Sequence, residues 1–201
     1  MNASDNARRR TRLGLLGLAA LFFVPLALSF YLYYGTSWRP TGGAQQGELI
    51  HPARPLPAVT LERADGTPTG EEFLRGDWHL VYIGPGDCDV TCREALRKSR
   101  QVRLALDKDV NRVSRVFLYE GAAPAAGFLS GEHPDLVAAK LSGDAAGALL
   151  GAFPPDPAPL IAGYLYIVDP LGNLMMRYPP DATPRAILTD LERLLRLSHI
   201  G

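Results

Sequence analysis

The longest apolar stretch of the chain lies near its N-terminus, where residues 13–34 contain no charged side chain. At about 1.5 Å per residue, a helix of this length spans about 33 Å, enough to cross a hydrocarbon core of roughly 30 Å. A cleaved signal peptide has a shorter apolar region, of about 7–15 residues, followed by small residues at the cleavage site. The length of the stretch therefore favours a retained single-pass transmembrane anchor.

The residues on either side of this stretch predict its orientation. Residues 1–12 contain four arginines and one acid, and basic residues that flank a membrane helix stay on the cytoplasmic side. Residues 35–56 are rich in Gly, Pro and Gln, which is typical of a tether. We therefore expect a cytoplasmic N-terminus, an anchor at 13–34, a tether at 35–56 and an exported domain at 57–201. A bacterial-type inner membrane would place that domain in the periplasm, and a mitochondrial one in the intermembrane space.

The rest of the hydrophobic pattern alternates between short apolar runs and helical stripes. Five runs predict β-strands, at residues 58–63, 78–83, 113–119, 163–168 and 173–178. Helices are predicted at residues 89–107 and 145–153 and from Thr183 onward. Much of residues 121–159 is Gly, Ala and Pro and shows no clear pattern. This order of elements predicts an α/β domain of the thioredoxin-like kind, with one extra strand at its N-terminus.

The charge balance excludes one broad class of function. Outside residues 1–12 the chain carries 17 basic and 20 acidic residues, a formal balance of −3. Proteins that bind nucleic acids need a basic surface. We therefore expect no nucleic-acid partner.

The only two cysteines of the chain, Cys88 and Cys92, lie between an apolar strand with a glycine turn and a predicted helix. At a helix N-terminus, free N–H groups and the helix dipole stabilise a thiolate. If both residues are helical, their Cα atoms lie about 6 Å apart, which a disulfide tolerates. The pair therefore indicates redox or metal chemistry. A static disulfide is the alternative, although closing so short a loop would stabilise the fold little.

Three features together resemble the Sco/SenC family of cytochrome c oxidase assembly proteins. They are the membrane anchor with its tether, the Cys88-x-x-x-Cys92 spacing after a strand that ends at Gly84, and the segment Tyr-Ile-Val-Asp-Pro-Leu-Gly that begins at Tyr166. The resemblance covers roughly residues 56–197. It implies a thioredoxin-like fold and a role in copper delivery and thiol reduction during assembly of the oxidase copper site. It also implies that Cys88 and Cys92 are redox thiols or copper ligands.

The sequence departs from this family's pattern at two positions. The third copper ligand of the family is a histidine about five residues before the strand of Tyr166, and that position lies near Ile161 here. The proline that usually follows the first cysteine is replaced by Asp89. We therefore expect a divergent relative that keeps the dithiol and lacks the copper-ligand histidine. His133 is expected in a surface loop and is the first alternative ligand to test.

The resulting hypothesis is a membrane-anchored thiol–disulfide reductant, with an exposed Cys88 as the attacking thiolate and Cys92 as the resolving thiol. It would act on an oxidase subunit or on a copper-site assembly factor, and it would require no cofactor. One alternative is a copper chaperone that binds Cu(I) through the same pair, since soft thiolates favour that ion. Another is a non-catalytic assembly scaffold whose cysteines are incidental.

Reporter fusions test the predicted orientation. A reporter that is active only after export should be active when fused after Gly201, because four arginines precede the uncharged segment. A reporter that is active only in the cytoplasm, fused at the same residue, serves as the control and should be silent. Activity of that second fusion would contradict an exported domain.

Overall fold

The computed structural model describes residues 3–35 and 45–198, with side chains described from residue 12 onward. The chain divides into two units, residues 1–43 and residues 44–201, and each is described by itself.

The first unit contains one long helix. This helix, α1, extends over Ala3–Gly35 and continues through Pro25. Its part from Arg12 to Gly35 is long and apolar enough to cross a membrane, and nearly all of its apolar side chains are exposed. A single-pass membrane anchor therefore fits α1, as the sequence predicts.

The second unit is built around one sheet of seven strands. The strands are β1 Glu48–Pro55, β2 Glu62–Arg63, β3 Trp78–Pro85, β4 Val113–Glu120, β5 Leu136–Lys140, β6 Leu165–Val168 and β7 Asn173–Tyr178. Their spatial order is β1-β7-β6-β3-β4-β5-β2. The central strands β3, β4 and β5 are parallel. The remaining pairs are antiparallel, so that β6, β7 and β1 extend the sheet beside β3, and β2 pairs with β5 at the other edge.

Helices cover both faces of the sheet. They are α2 Val90–Ala105, α3 Ala126–Glu132, α4 Gly143–Ala152, α5 Pro159–Ala162 and α6 Pro184–Leu197, with a 3-10 turn at Asp107–Arg112. One apolar cluster joins the sheet to α2 and α6, and a second joins the opposite face to α4. Seven of the eight residues of β3 are buried, and β4 is buried almost as completely. This confirms the sheet covered on both faces that the apolar end of β4 predicts.

The predicted tether at 35–56 extends too far towards the C-terminus, because residues 48–55 form the edge strand β1. Residues 36–44 of the predicted tether lie outside the described residues. β1 pairs with β7, with Glu48 opposite Arg177 and Pro55 opposite Asn173. A bidentate ion pair from Arg177 to Glu48, with nitrogen–oxygen distances of 2.8 Å, fixes the start of the strand. Prolines interrupt its sequence, and prolines are tolerated in sheets on edge strands. The strand predicted at 58–63 is therefore not the first of the domain, because β1 precedes it.

Two further expectations differ from the structure. Only Glu62–Arg63 of the predicted strand 58–63 pairs with a neighbouring strand. The backbone N–H groups of Val59 and Leu61 instead donate to Glu71 and Thr69 in the loop that follows. The segment 121–159, most of which has no clear pattern in the sequence, contains α3, β5, α4 and the start of α5. Of these the sequence predicts only α4, at 145–153.

A buried carboxylate holds the start of the domain. Asp190 of α6 accepts hydrogen bonds from the backbone N–H groups of Gln46 and Gly47, at 2.7 and 2.8 Å, and from the hydroxyl of Tyr178 at 2.9 Å. Burial and the charge of Asp190 raise the pKa of Tyr178 far above its usual value, so the phenol remains a donor. The chain enters the domain through this contact.

Gly47 should tolerate no side chain at this contact. A Cβ there would overlap the ring of Tyr178, so Gly47→Ala should destabilise the domain by about 1–3 kcal/mol. The control is Gly147→Ala in α4, where a Cβ meets no atom within 4 Å and helix propensity should stabilise by about 0.5–1 kcal/mol. Urea unfolding of the full chain in detergent measures both. Equal stability of the two variants would contradict the packing described at Gly47.

Candidate functional site

The two cysteines form a disulfide at the start of α2. Cys88 lies in the loop that follows β3, and Cys92 lies in the first turn of α2, with their Cα atoms 5.1 Å apart. The pairing agrees with the spacing in the sequence. Cys88 is not helical, however, because it precedes the N-cap residue Asp89. The disulfide therefore joins the loop to the helix.

The backbone of Cys88 adopts an unusual conformation. Its φ is +46°, in the left-handed region that costs a non-glycine residue about 1–2 kcal/mol. Two contacts hold it there. Its N–H donates to the carbonyl of Pro85 at 3.2 Å, and its carbonyl accepts from Nε of Arg93 at 3.2 Å. The guanidinium of Arg93 also lies over the ring of Phe128, 5.2 Å from its centre. Arg93 thus connects the cysteine loop to α3.

Asp89, which replaces the expected proline, caps α2. Its carboxylate accepts a hydrogen bond from the backbone N–H of Cys92 at 2.9 Å, as an N-cap side chain does. Its negative charge also acts on the buried Tyr82: burial, and to a lesser extent the charge of Asp89, raise the pKa of Tyr82 to about 12. A carboxylate this close to the pair disfavours a thiolate, whereas the helix N-terminus favours one.

Both sulfur-bearing residues are buried, which corrects the expectation of an exposed Cys88. Cys88 is 3% exposed and Cys92 is fully buried. They belong to the same apolar cluster as Tyr82, Phe117 and Tyr119, whose rings follow one another with centres 5.6 and 5.8 Å apart. The neighbouring Asp87, Asp89 and Val90 are exposed. The disulfide therefore lies just beneath the surface, under a loop that water reaches.

The segment before β6 lies against the first turn of α2. A Cβ at Gly163 would come within 2.9 Å of Cγ2 of Thr91, so this glycine permits the close approach. Ile161, two residues earlier in α5, is 86% exposed. The structure therefore places the segment of Ile161 beside the cysteine helix, and presents a hydrocarbon side chain there.

His133 lies in the loop between α3 and β5, but it is buried there and not on the surface as expected. It is 4% exposed, its Nδ1 is 3.3 Å from a guanidinium nitrogen of Arg115, and its ring packs edge-on against Phe128. Burial and then the charge of Arg115 lower the pKa of His133, so the ring is neutral and accepts from Arg115. In the part of the chain that the structure describes, no three His, Cys, Asp or Glu side chains are grouped to hold a metal. His79 is buried within β3, as its strand position predicts.

Sequence reasoning missed the buried residue that holds α2 in place. Arg115 of β4 has no exposed surface. It donates to the Leu96 carbonyl of α2 at 2.6 Å, to Oγ of Ser99 at 3.0 Å and to the carboxylate of Asp135 at 3.0 Å. The only signal in the sequence is a single arginine within an otherwise largely apolar strand. Its acceptors come from α2 and from the loop before β5, both distant from Arg115 in the chain, and could not be paired with it beforehand.

Comparison with known proteins identifies the family. Residues 78–198 match the family described as "Transmembrane-like, thioredoxin-like, C-terminal domain". The chain belongs to this family. The search of curated proteins finds no match.

Solved structures confirm the thioredoxin-like fold. Apo Sco1 of Thermus thermophilus superposes with a TM-score of 0.61 at 18% identity, covering 78% of this chain and 100% of that one. Copper-bound ScoI of Bradyrhizobium japonicum gives 0.55 at 19%, covering 70% and 99%. The thioredoxin domain of a thiol-disulfide oxidoreductase of Bacteroides vulgatus gives 0.53 at 13%, covering 71% and 98%. The resemblance to Sco/SenC proteins is thus confirmed at the level of the fold.

The dual role of Asp89, as helix cap and as a negative charge, can be separated by substitution. Asp89→Asn keeps a capping oxygen and removes the charge, so it should preserve stability and lower the pKa of the Cys88 thiol in the reduced protein. Asp89→Ala should lose about 1 kcal/mol of stability. Urea unfolding and the pH dependence of thiol alkylation measure the two effects. Asp87→Asn, which removes a neighbouring charge without removing the cap, is the control. Equal losses of stability in Asp89→Asn and Asp89→Ala would contradict the capping role.

Proposed function

We propose that the protein is a thiol–disulfide oxidoreductase, held at a membrane by α1, that acts as a reductant. The observation that carries the proposal is the disulfide between the chain's only two cysteines, placed between β3 and the first turn of α2 in a thioredoxin-like fold. The resemblance to Sco proteins supports a place in the assembly of the cytochrome c oxidase copper site. The partner would then be an oxidase subunit or an assembly factor on the side of the membrane that carries the domain.

The proposed reaction is a two-electron exchange. In the reduced protein, the thiolate of Cys88 attacks one sulfur of a partner disulfide, forms a mixed disulfide and releases the partner's other sulfur as a thiolate. The thiolate of Cys92 then attacks the sulfur of Cys88, and the partner's remaining sulfur leaves. The partner gains two electrons and, with two protons, two thiols. The protein is left with the Cys88–Cys92 disulfide, which an external dithiol must reduce again.

The structure supports assigning attack to Cys88. Cys88 precedes the helix in a loop flanked by exposed residues, whereas Cys92 is fully buried within the first helical turn. The helix N-terminus and Arg93 stabilise negative charge at this position, and burial and Asp89 oppose it. A partner's disulfide reaches a sulfur that is 3% exposed only after the loop moves. Reaction is therefore coupled to local opening of residues 86–89.

The copper-chaperone alternative is supported less well. The cysteine pair could bind Cu(I) as two thiolates, but a third ligand does not fit. Ile161 stands near the position of the family histidine and has no donor atom, and Nδ1 of His133 faces the guanidinium of Arg115. A Cys₂His copper site is therefore not formed by the described residues, and delivery of copper would have to use the two thiolates alone. The scaffold alternative, in contrast, requires that the cysteines neither exchange disulfides nor bind copper.

Single-cysteine variants distinguish these functions. With a disulfide-containing peptide, reduced Cys92→Ser should accumulate a mixed disulfide through Cys88, because no thiol remains to resolve it. Cys88→Ser is the matched control and should trap almost none, because Cys92 lies within the first turn of α2 and opening of residues 86–89 would not expose it. The native full chain in detergent should show a reversible two-electron transition across glutathione buffers, with a slope of about 30 mV per decade. Mass spectrometry after thiol alkylation measures all three.

Other outcomes of this experiment favour the alternatives. Trapping by Cys88→Ser rather than Cys92→Ser would reverse the two roles. A disulfide that stays oxidised in the folded protein under strong reductant would favour a static cross-link. Tight one-to-one Cu(I) binding by a protein that fails to reduce the peptide would favour copper delivery.

A further inference from the structure

We propose that the outward face of α2 is a docking surface for an acidic segment of the protein whose cysteines exchange with Cys88 and Cys92. The surface consists of Arg93, Arg97 and Arg100, called here the arginine row. The inference rests on the proposed redox function and adds the chemistry by which the partner is recognised.

Charge is distributed unevenly over the domain. Residues 45–198 carry 16 basic and 20 acidic residues, and α2 alone holds five of the basic residues and one of the acids. α2 is therefore at +4, whereas the rest of the domain is at −8. An isolated basic element on an acidic protein attracts an acidic partner to that element alone, which orients the encounter as well as accelerating it.

The three arginines lie on one side of the helix. Their spacing of four and then three residues places them along one face, and all three are exposed. The structure contains no ion pair of Arg97 or Arg100 with any described residue, although Glu94 lies on the same helix. From Arg93 to Arg100 the helix rises by about 10 Å. The row is thus long enough to contact several carboxylates of one extended segment.

The row begins at the disulfide. Arg93 donates to the carbonyl of Cys88, so a segment bound along the row has one end beside the cysteine loop. This contact couples docking to disulfide exchange. A partner segment bound to Arg97 and Arg100 would place its adjacent residues beside the loop 86–89, which must open. An anionic lipid surface would also be attracted by the row, but it offers no sulfur to the disulfide.

Positive charge beneath the row is incompletely neutralised. Among the described residues, a single carboxylate, that of Asp135, pairs with both Arg115, at 3.0 Å, and Arg103, at 3.4 Å. The charge of Arg100 extends to this cluster, because Arg100 contributes to the lowered pKa values of both Arg115 and His133. Glu132 is the other acid near His133, and it makes no ion pair with the row. A low-dielectric interior strengthens the field of a buried charge, so the buried Arg115 adds to the positive charge of the row.

Two synthetic peptides test this surface in the full chain, held in a nonionic detergent. Both contain the same internal disulfide, flanked by four glutamates in one and by four lysines in the other. The reduced protein should reduce the acidic peptide about tenfold faster or more at low salt, and the preference should shrink in 0.5 M salt as screening shortens the range of the charges. Binding of a cysteine-free acidic peptide, measured by fluorescence anisotropy, reports docking without redox chemistry.

Charge-reversal variants locate the effect. Arg97→Glu/Arg100→Glu should abolish or invert the preference, and the milder Arg97→Gln/Arg100→Gln should reduce it. Lys108→Glu/Arg196→Glu is the matched control with the same change in net charge at exposed residues. It lies at the other end of α2, where Arg112 donates to the carbonyl of Leu195. The control should keep the preference, and thermal unfolding should show that every variant is folded.

The possible results separate docking from catalysis. Equal rates for the two peptides, or equal losses in the row variant and the control, would overturn the docking surface while leaving the redox function in place. Binding to vesicles of anionic lipid without binding to the acidic peptide would also overturn it. Binding of the cysteine-free acidic peptide, with no reduction of either disulfide peptide, would support the surface and refute the redox function.

Discussion

The buried guanidinium of Arg115 holds the cysteine helix to the centre of the sheet. It lies on a central strand and donates to the carbonyl of Leu96, to Ser99 and to Asp135. A charge removed from water is tolerated only while its partners remain in place, because an unpaired buried ion is strongly unfavourable. The position of α2 is therefore fixed in the middle by a polar contact and along its length by apolar packing. The position of α2 in turn fixes that of the disulfide, because Cys92 lies in the first turn of α2.

The same helix defines the chemistry at its N-terminus. Free N–H groups favour negative charge there, and one of them is already used by Asp89, whose own charge opposes a thiolate. Burial of both cysteines adds to that opposition. The pair is therefore not freely exposed, and the proposed reaction depends on movement of the loop. The left-handed backbone of Cys88 places some strain in that loop, and opening would release it.

The charge distribution connects the proposed reaction to the proposed partner. The cationic side of α2 starts at a residue that contacts Cys88, and the rest of the domain is acidic. In the proposed function, one helix carries the redox pair at its end and the docking surface along its side. The acidic remainder would repel an acidic partner that approached elsewhere, which favours the productive orientation. In this arrangement selection of the partner does not require a deep pocket at the disulfide.

Sequence alone determined the features that depend on local pattern. Composition, periodicity and spacing predict the long apolar helix α1, the central strands β3 and β4, the helices α2 and α6, and the cysteine pair. Tertiary structure decided the rest. The prolines of β1 disfavour the prediction of a strand from the sequence, and the edge strand forms because it pairs with β7. His133 is buried because α3 and Arg115 enclose it, and Cys88 is covered although its neighbours are exposed. Burial and strand pairing of this kind depend on contacts between residues that are far apart in the chain, and a local sequence pattern contains no information about such contacts.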